Sequence, residues 1–407
     1  MRRVRFGVAL AAALLVGALL LSSAAAAAEK LHVEAKAWTL IDARSGEVVA
    51  SHAAARHLPI ASTTKLMTAY VALKEMPIDK VVRAAPYEAE YGESLLGLRS
   101  GQKISVRDLL YGLILRSGND AAHTLAIAAA GSQERFVRQM NRRAAALGLA
   151  DTHYANPVGL DQRGNFSSAA DLATLTQRLL GIPAFAKIAA ARRALLRSVK
   201  PPARIATINA LLSMAPWVNG VKTGHTFDAG YVLVGSGRRK GVELISVAIG
   251  APTDEARYSD DLELLEYGFS RYERRLPIHS GQDLADPSIR YSGGALPLRA
   301  ARDVAVGVRR GQHIDVEVRA PGEVEGPIGR GTALGRANVF VDGRRAASVP
   351  LRAGRSIPAA SRFDRARDFV GDNMIPIAIA AFVILMSAAL LYRRPARRER
   401  RRGGGPR

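Results

Sequence analysis

Three short stretches of this 407-residue chain carry groups that could perform acyl transfer: Ser62-Thr63-Thr64-Lys65, Ser117-Gly118-Asn119 and Lys222-Thr223-Gly224. A serine hydroxyl is hardly ionised at neutral pH. It attacks a carbonyl only with a base beside Oγ and donors facing the oxyanion that forms. Ser62 is the candidate nucleophile and Lys65 the candidate base, because on a helix the i, i+3 spacing puts both on one face a turn apart. An ammonium cannot accept a proton, so Lys65 must be neutral. Burial and a second cation, for which Lys222 is the candidate, would lower its pKa. A helix start at Ser62 would add unpaired N–H groups and a positive dipole end.

The other two stretches suit supporting roles. Ser117-Gly118-Asn119 falls between helical runs, where Ser117 Oγ can relay protons and Asn119 can hold an amide, although Ser-Gly-Asn is also an ordinary turn and cap. Lys222-Thr223-Gly224 ends a strand, where Gly224 permits close approach and an extended peptide can add to the sheet edge. The Ser-x-x-Lys pattern recurs at Ser100-Gly101-Gln102-Lys103. There Gly101 and the following Ile104-Ser105-Val106 read as a turn into a strand, which would not hold Ser and Lys on one face. The order and settings of the three stretches together carry the functional reading.

The elements that position them follow from periodicity. Residues 37–42 and 48–50, joined by Arg44-Ser45-Gly46-Glu47, read as a hairpin. Residues 62–76 have helical spacing, with Leu66, Tyr70 and Leu73 on one side and Pro77 as the stop. Residues 106–180 are mainly helical, with runs at 107–115, 120–129, 133–147 and 169–180. Strands return at 218–222, 231–234 and 244–249, with residues 235–241 as a turn, and 260–272 reads as a closing amphipathic helix. The expected fold is α+β: an antiparallel sheet flanked by helices with a helical insertion, and a cleft between them. Alternating segments at 304–308, 314–318 and 338–341 mark a small β domain, so the expected divisions are 29–275, 276–352 and a polar linker at 353–372.

Both ends speak of a membrane. Arg2, Arg3 and Arg5, an apolar run at 6–21 and Ala26-Ala27-Ala28 read as a signal peptide at 1–28. Residues 373–392 read as a transmembrane helix, because the charge-free run 374–392 is just long enough to span, and an arginine-rich tail at 393–407 follows. By the positive-inside rule the tail is cytoplasmic and residues 29–372 face outward, as a single-pass protein of the cell membrane. The formal net charge is +22, part of it in these ends. A basic ectodomain suits an anionic wall or lipid surface. The chain shows no finger spacing and no aromatic–basic pattern for nucleic acid. With no cysteine, there is neither a disulfide nor a thiolate metal site; no metal or cofactor is expected.

The stretches 61–68, 117–122 and 222–226, with Gly159-Leu160-Asp161 and Ser167-Ser168-Ala169-Ala170-Asp171, closely resemble the low-molecular-weight penicillin-binding proteins that are D-alanyl-D-alanine carboxypeptidases. The resemblance covers roughly residues 37–272, with a weaker match to the family's C-terminal β domain at 327–351. It implies a transpeptidase/β-lactamase-like fold and a peptidoglycan stem peptide ending in D-Ala-D-Ala as substrate, with β-lactams as covalent inhibitors. It further implies that Ser62 attacks, Lys65 takes the proton, Ser117 relays it and Asn119 holds the peptide. Lys222 and Thr223 would bind the terminal carboxylate, beside Gly224 and His225, with the N–H groups of Ser62 and His225 as the oxyanion hole. Two positions depart from some relatives: Val158 replaces a histidine, and Ile208, before Asn209, an arginine. Carboxylate recognition then depends more on Lys222, Thr223 or a displaced Arg204. A class A β-lactamase would need a deacylating glutamate between Asn119 and Lys222, where only Glu134 occurs, too near Asn119. A DD-endopeptidase, or a catalytically weak penicillin-binding wall sensor, would use the same residues.

Overall fold

In the strand Ala37–Asp42, Leu40 and Ile41 point to opposite faces and both are buried, so the sheet it joins must be covered on each side. The computed structural model describes residues 31–392 apart from Lys240 and Ser292. The expected signal peptide at 1–28 and the expected cytoplasmic tail at 393–407 lie outside the described residues. The sheet runs Val48–His52, Ala37–Asp42, Val242–Ala251, Gly230–Arg239, Val218–Thr226, antiparallel throughout. Leu40, Leu233 and Leu244 pack on one face with Leu264, Leu265 and Phe269 of the helix Asp254–Ser270. Ile41, Val232, Val234, Ile245, Val247 and Ile249 face the other way, into a core shared with Leu66, Met67, Leu172 and Leu175 of the helical part. The strand carrying Lys222 is outermost, as an edge open to an added peptide requires.

The helical part comprises Lys65–Glu75, Val106–Leu115, Asn119–Ala130, Gln133–Ala146 and Ala169–Leu180. Ser105, Ser132 and Ser168 each cap a helix by accepting a backbone N–H at the third helical residue. The fold is α+β as expected, but two boundaries move. The expected turn at 235–241 is instead strand up to Arg239. Its glycines mark close packing: a Cβ at Gly235 would meet Asp261 Oδ1 and Ser246 Oγ at 2.6 Å, and one at Gly237 would meet the Trp217 ring at 2.8 Å. The closing helix starts at Asp254 rather than 260, because Thr253 caps it.

Among the described residues two compact units form, the first holding those of 31–275 and 306–312, the second those of 276–305 and 313–392. In the second, a five-stranded sheet runs Asp283–Ala285, Leu298–Ala300, Arg344–Ala353, Ala333–Val341, Ile314–Arg319. Val339, Val349 and Leu351 are buried in it. Part of the expected linker is a helix, Arg362–Asp372, because Ser361 and Asp364 form a reciprocal capping box. The expected spanning segment is one helix, Met374–Tyr392, with no ionisable residue before its terminal tyrosine. Among the described residues, however, no helix is long and apolar enough to cross a membrane.

Candidate active site

Ser62 sits not on the α-helix but in a single 3₁₀ turn, Ala61–Thr64, that runs into the helix Lys65–Glu75. Ala61, just before it, has φ +46°, and Ser117 has φ +58°. Non-glycine residues occupy that region at a cost of about 1–3 kcal/mol, so the backbone is strained next to Ser62, at Ala61, and at Ser117 itself. Ser62 is half-buried, whereas Lys65 behind it is fully buried. Lys65 Nζ lies 2.9 Å from Ser62 Oγ and donates to the Val158 carbonyl at 2.5 Å. A neutral amine has two N–H groups and one lone pair, so a bond to Val158 leaves the lone pair for the serine proton. Position 158 thus contributes its backbone, and its side chain is not needed for this contact.

Burial pushes the Lys65 pKa down to about 7, against the opposing charges of Glu93 and Asp120, which raise it. The expected help from a second cation is not what lowers it. Lys222, also fully buried, is pushed well below the ordinary lysine range by burial, then by the charges of Lys65 and Arg257. Lys222 Nζ donates to Ser117 Oγ at 3.0 Å and to its neighbour's carbonyl, Thr223 O, at 2.6 Å. Thr223 is buried beside it. Gly224 fits because its strand runs against the serine turn: a Cβ there would stand 3.1 Å from both Ser62 N and Ala61 Cβ. That approach sets the backbone of residues 224–225 beside the Ser62 N–H. The His225 ring is exposed and stacks on Tyr231 at 4.2 Å between centroids.

Asn119, buried at the start of its helix, donates Nδ2 to Glu93 Oε2 at 2.7 Å. The structure therefore brings Ser62 and Lys65 together, joins Ser117 to Lys222, and sets Gly224 against the serine turn. It leaves Arg204 exposed on the hairpin Arg193–Leu196/Ala203–Ala206, paired across from Leu195. Arg257 instead reaches the Lys-Thr-Gly strand, donating Nη1 to Gly224 O at 3.1 Å from beneath Tyr231 and Tyr258. The second serine pattern is a turn at Ser100 and Gly101 that leads to Lys103 on a strand. Glu134 is exposed in the first turn of the helix Gln133–Ala146.

Four supporting roles were not visible in the sequence. Asp120 accepts from the backbone N–H groups of Leu96, Gly97 and Leu98, pinning a long excursion between the strands Val81–Arg83 and Lys103–Ser105. Each such bond contributes about 1 kcal/mol net, and leaving the donors unpaired costs more. Asp161 accepts from Thr226 Oγ1 at 2.7 Å and Asp228 N at 3.2 Å, tying the Gly-Leu-Asp loop to the Lys-Thr-Gly strand. Glu93 and Arg257 complete the surroundings of the two lysines. No periodic signal marks Glu93; Arg257 lay just outside the expected closing helix.

A family model described as D-alanyl-D-alanine carboxypeptidase matches residues 23–253, and one described as the C-terminal domain of penicillin-binding protein 5 matches residues 272–359. The chain is 33% identical over 355 residues to the D-alanyl-D-alanine carboxypeptidase DacC of Escherichia coli strain K12, covering 83% of this chain and 88% of that one. It is 30% identical over 349 residues to DacF of Bacillus subtilis strain 168, covering 83% and 90%. Among solved structures, penicillin binding protein 5 from Haemophilus influenzae aligns with TM-score 0.56 and 28% identity over 81% of this chain and 99% of that chain. A family-model match across more than half the sequence, together with relatives at 30% identity or more over most of both chains, means that this chain belongs to the D-alanyl-D-alanine carboxypeptidase family.

Proposed function

We propose that the chain is a serine-type D-Ala-D-Ala carboxypeptidase that removes the terminal D-alanine from peptidoglycan stem peptides in cell-wall maturation. Ser62 Oγ attacks the carbonyl between the last two D-alanines as Lys65 Nζ takes its proton. The N–H groups of Ser62 and His225 receive the oxyanion. Collapse breaks the C–N bond, the leaving amine gains a proton by way of Ser117, and D-alanine departs. Water then attacks the acyl-enzyme, returning Ser62 and releasing the shortened peptide. Lys222 and Thr223 bind the terminal carboxylate; Asn119 holds the peptide amide. The observation that carries this reading is the fully buried Lys65 amine, poised near pH 7 and 2.9 Å from the hydroxyl. A relative of known structure, penicillin-binding protein D2 from Listeria monocytogenes, is described in a cefotaxime-bound form, which supports β-lactam acylation of Ser62 here.

The test is D-alanine release from a synthetic pentapeptide, with Ser62→Ala beside wild type and a fluorescent penicillin as second probe. Release and labelling in wild type, and neither in the variant, are expected. Penicillin labelling that survives Ser62→Ala removes this serine from the mechanism. Labelling without D-alanine release turns the reading to a wall sensor, and monomers from a cross-linked dimer turn it to an endopeptidase.

The same reading places the catalytic unit outside the cell membrane, with 1–28 as signal and residues 373–392 as a single span ahead of a cytoplasmic tail. Its support is in the sequence, the charge-free apolar run 374–392 and the arginine run after it. Alkaline carbonate extraction of membranes tests it: retention in the pellet, lost on truncation at 372, is expected, and release of the full chain overturns it.

A further inference from the structure

Glu93 has no part in the reaction as derived above, yet it is built into the site. It lies on the excursion between Arg83 and Lys103, whose ends are joined by bonds from Ala84 N to Gln102 O and from Gly101 N to Ala84 O. Asp120 holds the far side of that excursion, and Asn119 N donates to Ser94 O at 2.8 Å. Glu93 Oε2 accepts from Asn119 Nδ2 at 2.7 Å and from Tyr87 Oη at 2.5 Å, while Oε1 accepts from Glu90 N at 3.1 Å.

Those contacts fix two things. An ionised carboxylate can only accept, so Asn119 must turn its NH₂ toward Glu93, which leaves the carboxamide oxygen as the acceptor for an incoming N–H. Glu93 is ionised: burial would raise its pKa, but the bonds from Asn119, Tyr87 and Glu90 and the charge of Lys65 together hold it below the usual range. The carboxylate is therefore a standing negative charge felt by the Lys65 amine.

We propose that Glu93 is a positioning residue of this reaction, orienting Asn119 toward the substrate amide and keeping a negative charge opposite the Lys65 amine. The proposal rests on Lys65 as the base. Lys65 is contacted by Ser62 from the 3₁₀ turn and by the Val158 carbonyl beside the Gly-Leu-Asp loop, and the charge of Glu93 acts on it from the excursion. Asp120 faces it from the helix Asn119–Ala130, and Lys222 from the edge strand, with Arg257 acting beyond on Lys222. Asp120 shares its carboxylate among the N–H groups of Leu96, Gly97, Leu98 and Ala121. Glu93 heads the two carboxylates that oppose the effect of burial on Lys65.

The experiment compares pH profiles of kcat/KM for D-alanine release, and of the rate of penicillin acylation, in wild type, Glu93→Gln and Glu93→Ala. Glutamine keeps an acceptor for Asn119 and Tyr87 but loses the charge. The acid limb in Glu93→Gln should shift to lower pH by about one unit with KM nearly unchanged. In Glu93→Ala the same shift should come with KM raised several-fold, as Asn119 loses its fixed orientation. Thermal melts matching wild type within a few degrees show that both variants fold. An acid limb in Glu93→Gln that superimposes on wild type overturns the charge role, and a wild-type KM in Glu93→Ala overturns the orienting role. Failure of wild type itself to release D-alanine would instead remove the underlying reading, so the two failures are separate.

Discussion

Lys65 and Lys222 are buried to the same degree, and burial is the first cause of a lowered pKa in both. They differ in what lies beyond the first contact. Lys65, at the head of a helix, feels two carboxylates, Glu93 and Asp120, which stop its descent at about 7. Lys222, on the edge strand, feels two cations, Lys65 and Arg257, which drive it lower. An amine poised near neutrality can take and return a proton in each turnover. One whose proton affinity is lowered by burial and by neighbouring cations takes a proton more readily once an anion arrives, as a terminal carboxylate would. In the proposed reaction the same side chain serves as base in one setting and as anion receptor in the other, and the charges around each amine favour that division.

The strongest way to break this comparison is Lys65→Met. Loss of the base should lower kcat/KM for D-alanine release about 10³-fold. The same substitution reports on stability. The unfolded chain keeps the lysine proton up to about pH 10.5, while the folded chain gives it up through about 7, so between those values the unfolded state binds more protons. Stability should rise with pH across that window, the cost of the buried amine being largest below pH 7 and gone above 10.5. In Lys65→Met that rise should be smaller and stability at pH 7 higher, checked by urea melts at several pH values. An unchanged slope would mean that Lys65 keeps its proton on folding.

Lys222→Met tests the receptor side. It should lower kcat/KM about 10²-fold, chiefly through KM, for a peptide ending in a free carboxylate, and far less for the C-terminal amide. The acid limb should stay in place, because burial and the charges of Glu93 and Asp120 are the causes that set Lys65. An acid limb that moved in this variant would merge the two lysines into one titrating pair.

How much of this could be read beforehand depends on the range of the interaction. The strand Ala37–Asp42 and the helix Ala169–Leu180 have the bounds that periodicity gave them, since burial on one or two faces writes itself into every second or every third and fourth residue. The contact of Ser62 with Lys65 was legible for the same reason, being one turn long. Lys222 to Ser117 spans 105 residues, and motif order suggested it where local pattern could not. Glu93 and Tyr87 lie on an excursion whose shape is set by the Asp120 carboxylate binding three N–H groups more than 20 residues away, so nothing in their own neighbourhood marks them. Gly235 and Gly237 misled: glycine beside arginines looks like a turn, whereas here absent side chains make room for Asp261, Ser246 and Trp217.

Arg257 offers the smallest effect and the sharpest discrimination. Its charge presses on Lys222, and its Nη1 supports the Gly224 carbonyl, but it does not figure among the groups that act on Lys65. Arg257→Met therefore relieves one cation from the receptor lysine, leaving it easier to protonate before substrate arrives. It also removes a positive charge that a substrate carboxylate would feel and leaves the buried Gly224 carbonyl without this donor, a loss of about 1–3 kcal/mol. These effects oppose each other at the receptor, so KM should change by less than about ten-fold, with a lowered melting temperature from the lost donor. The base should be untouched, and the acid limb of the pH profile should overlay wild type. Were Arg257→Met to move that limb as far as Glu93→Gln is expected to, the cations and carboxylates would act on both amines alike, and the division of labour between helix and strand would reduce to burial alone.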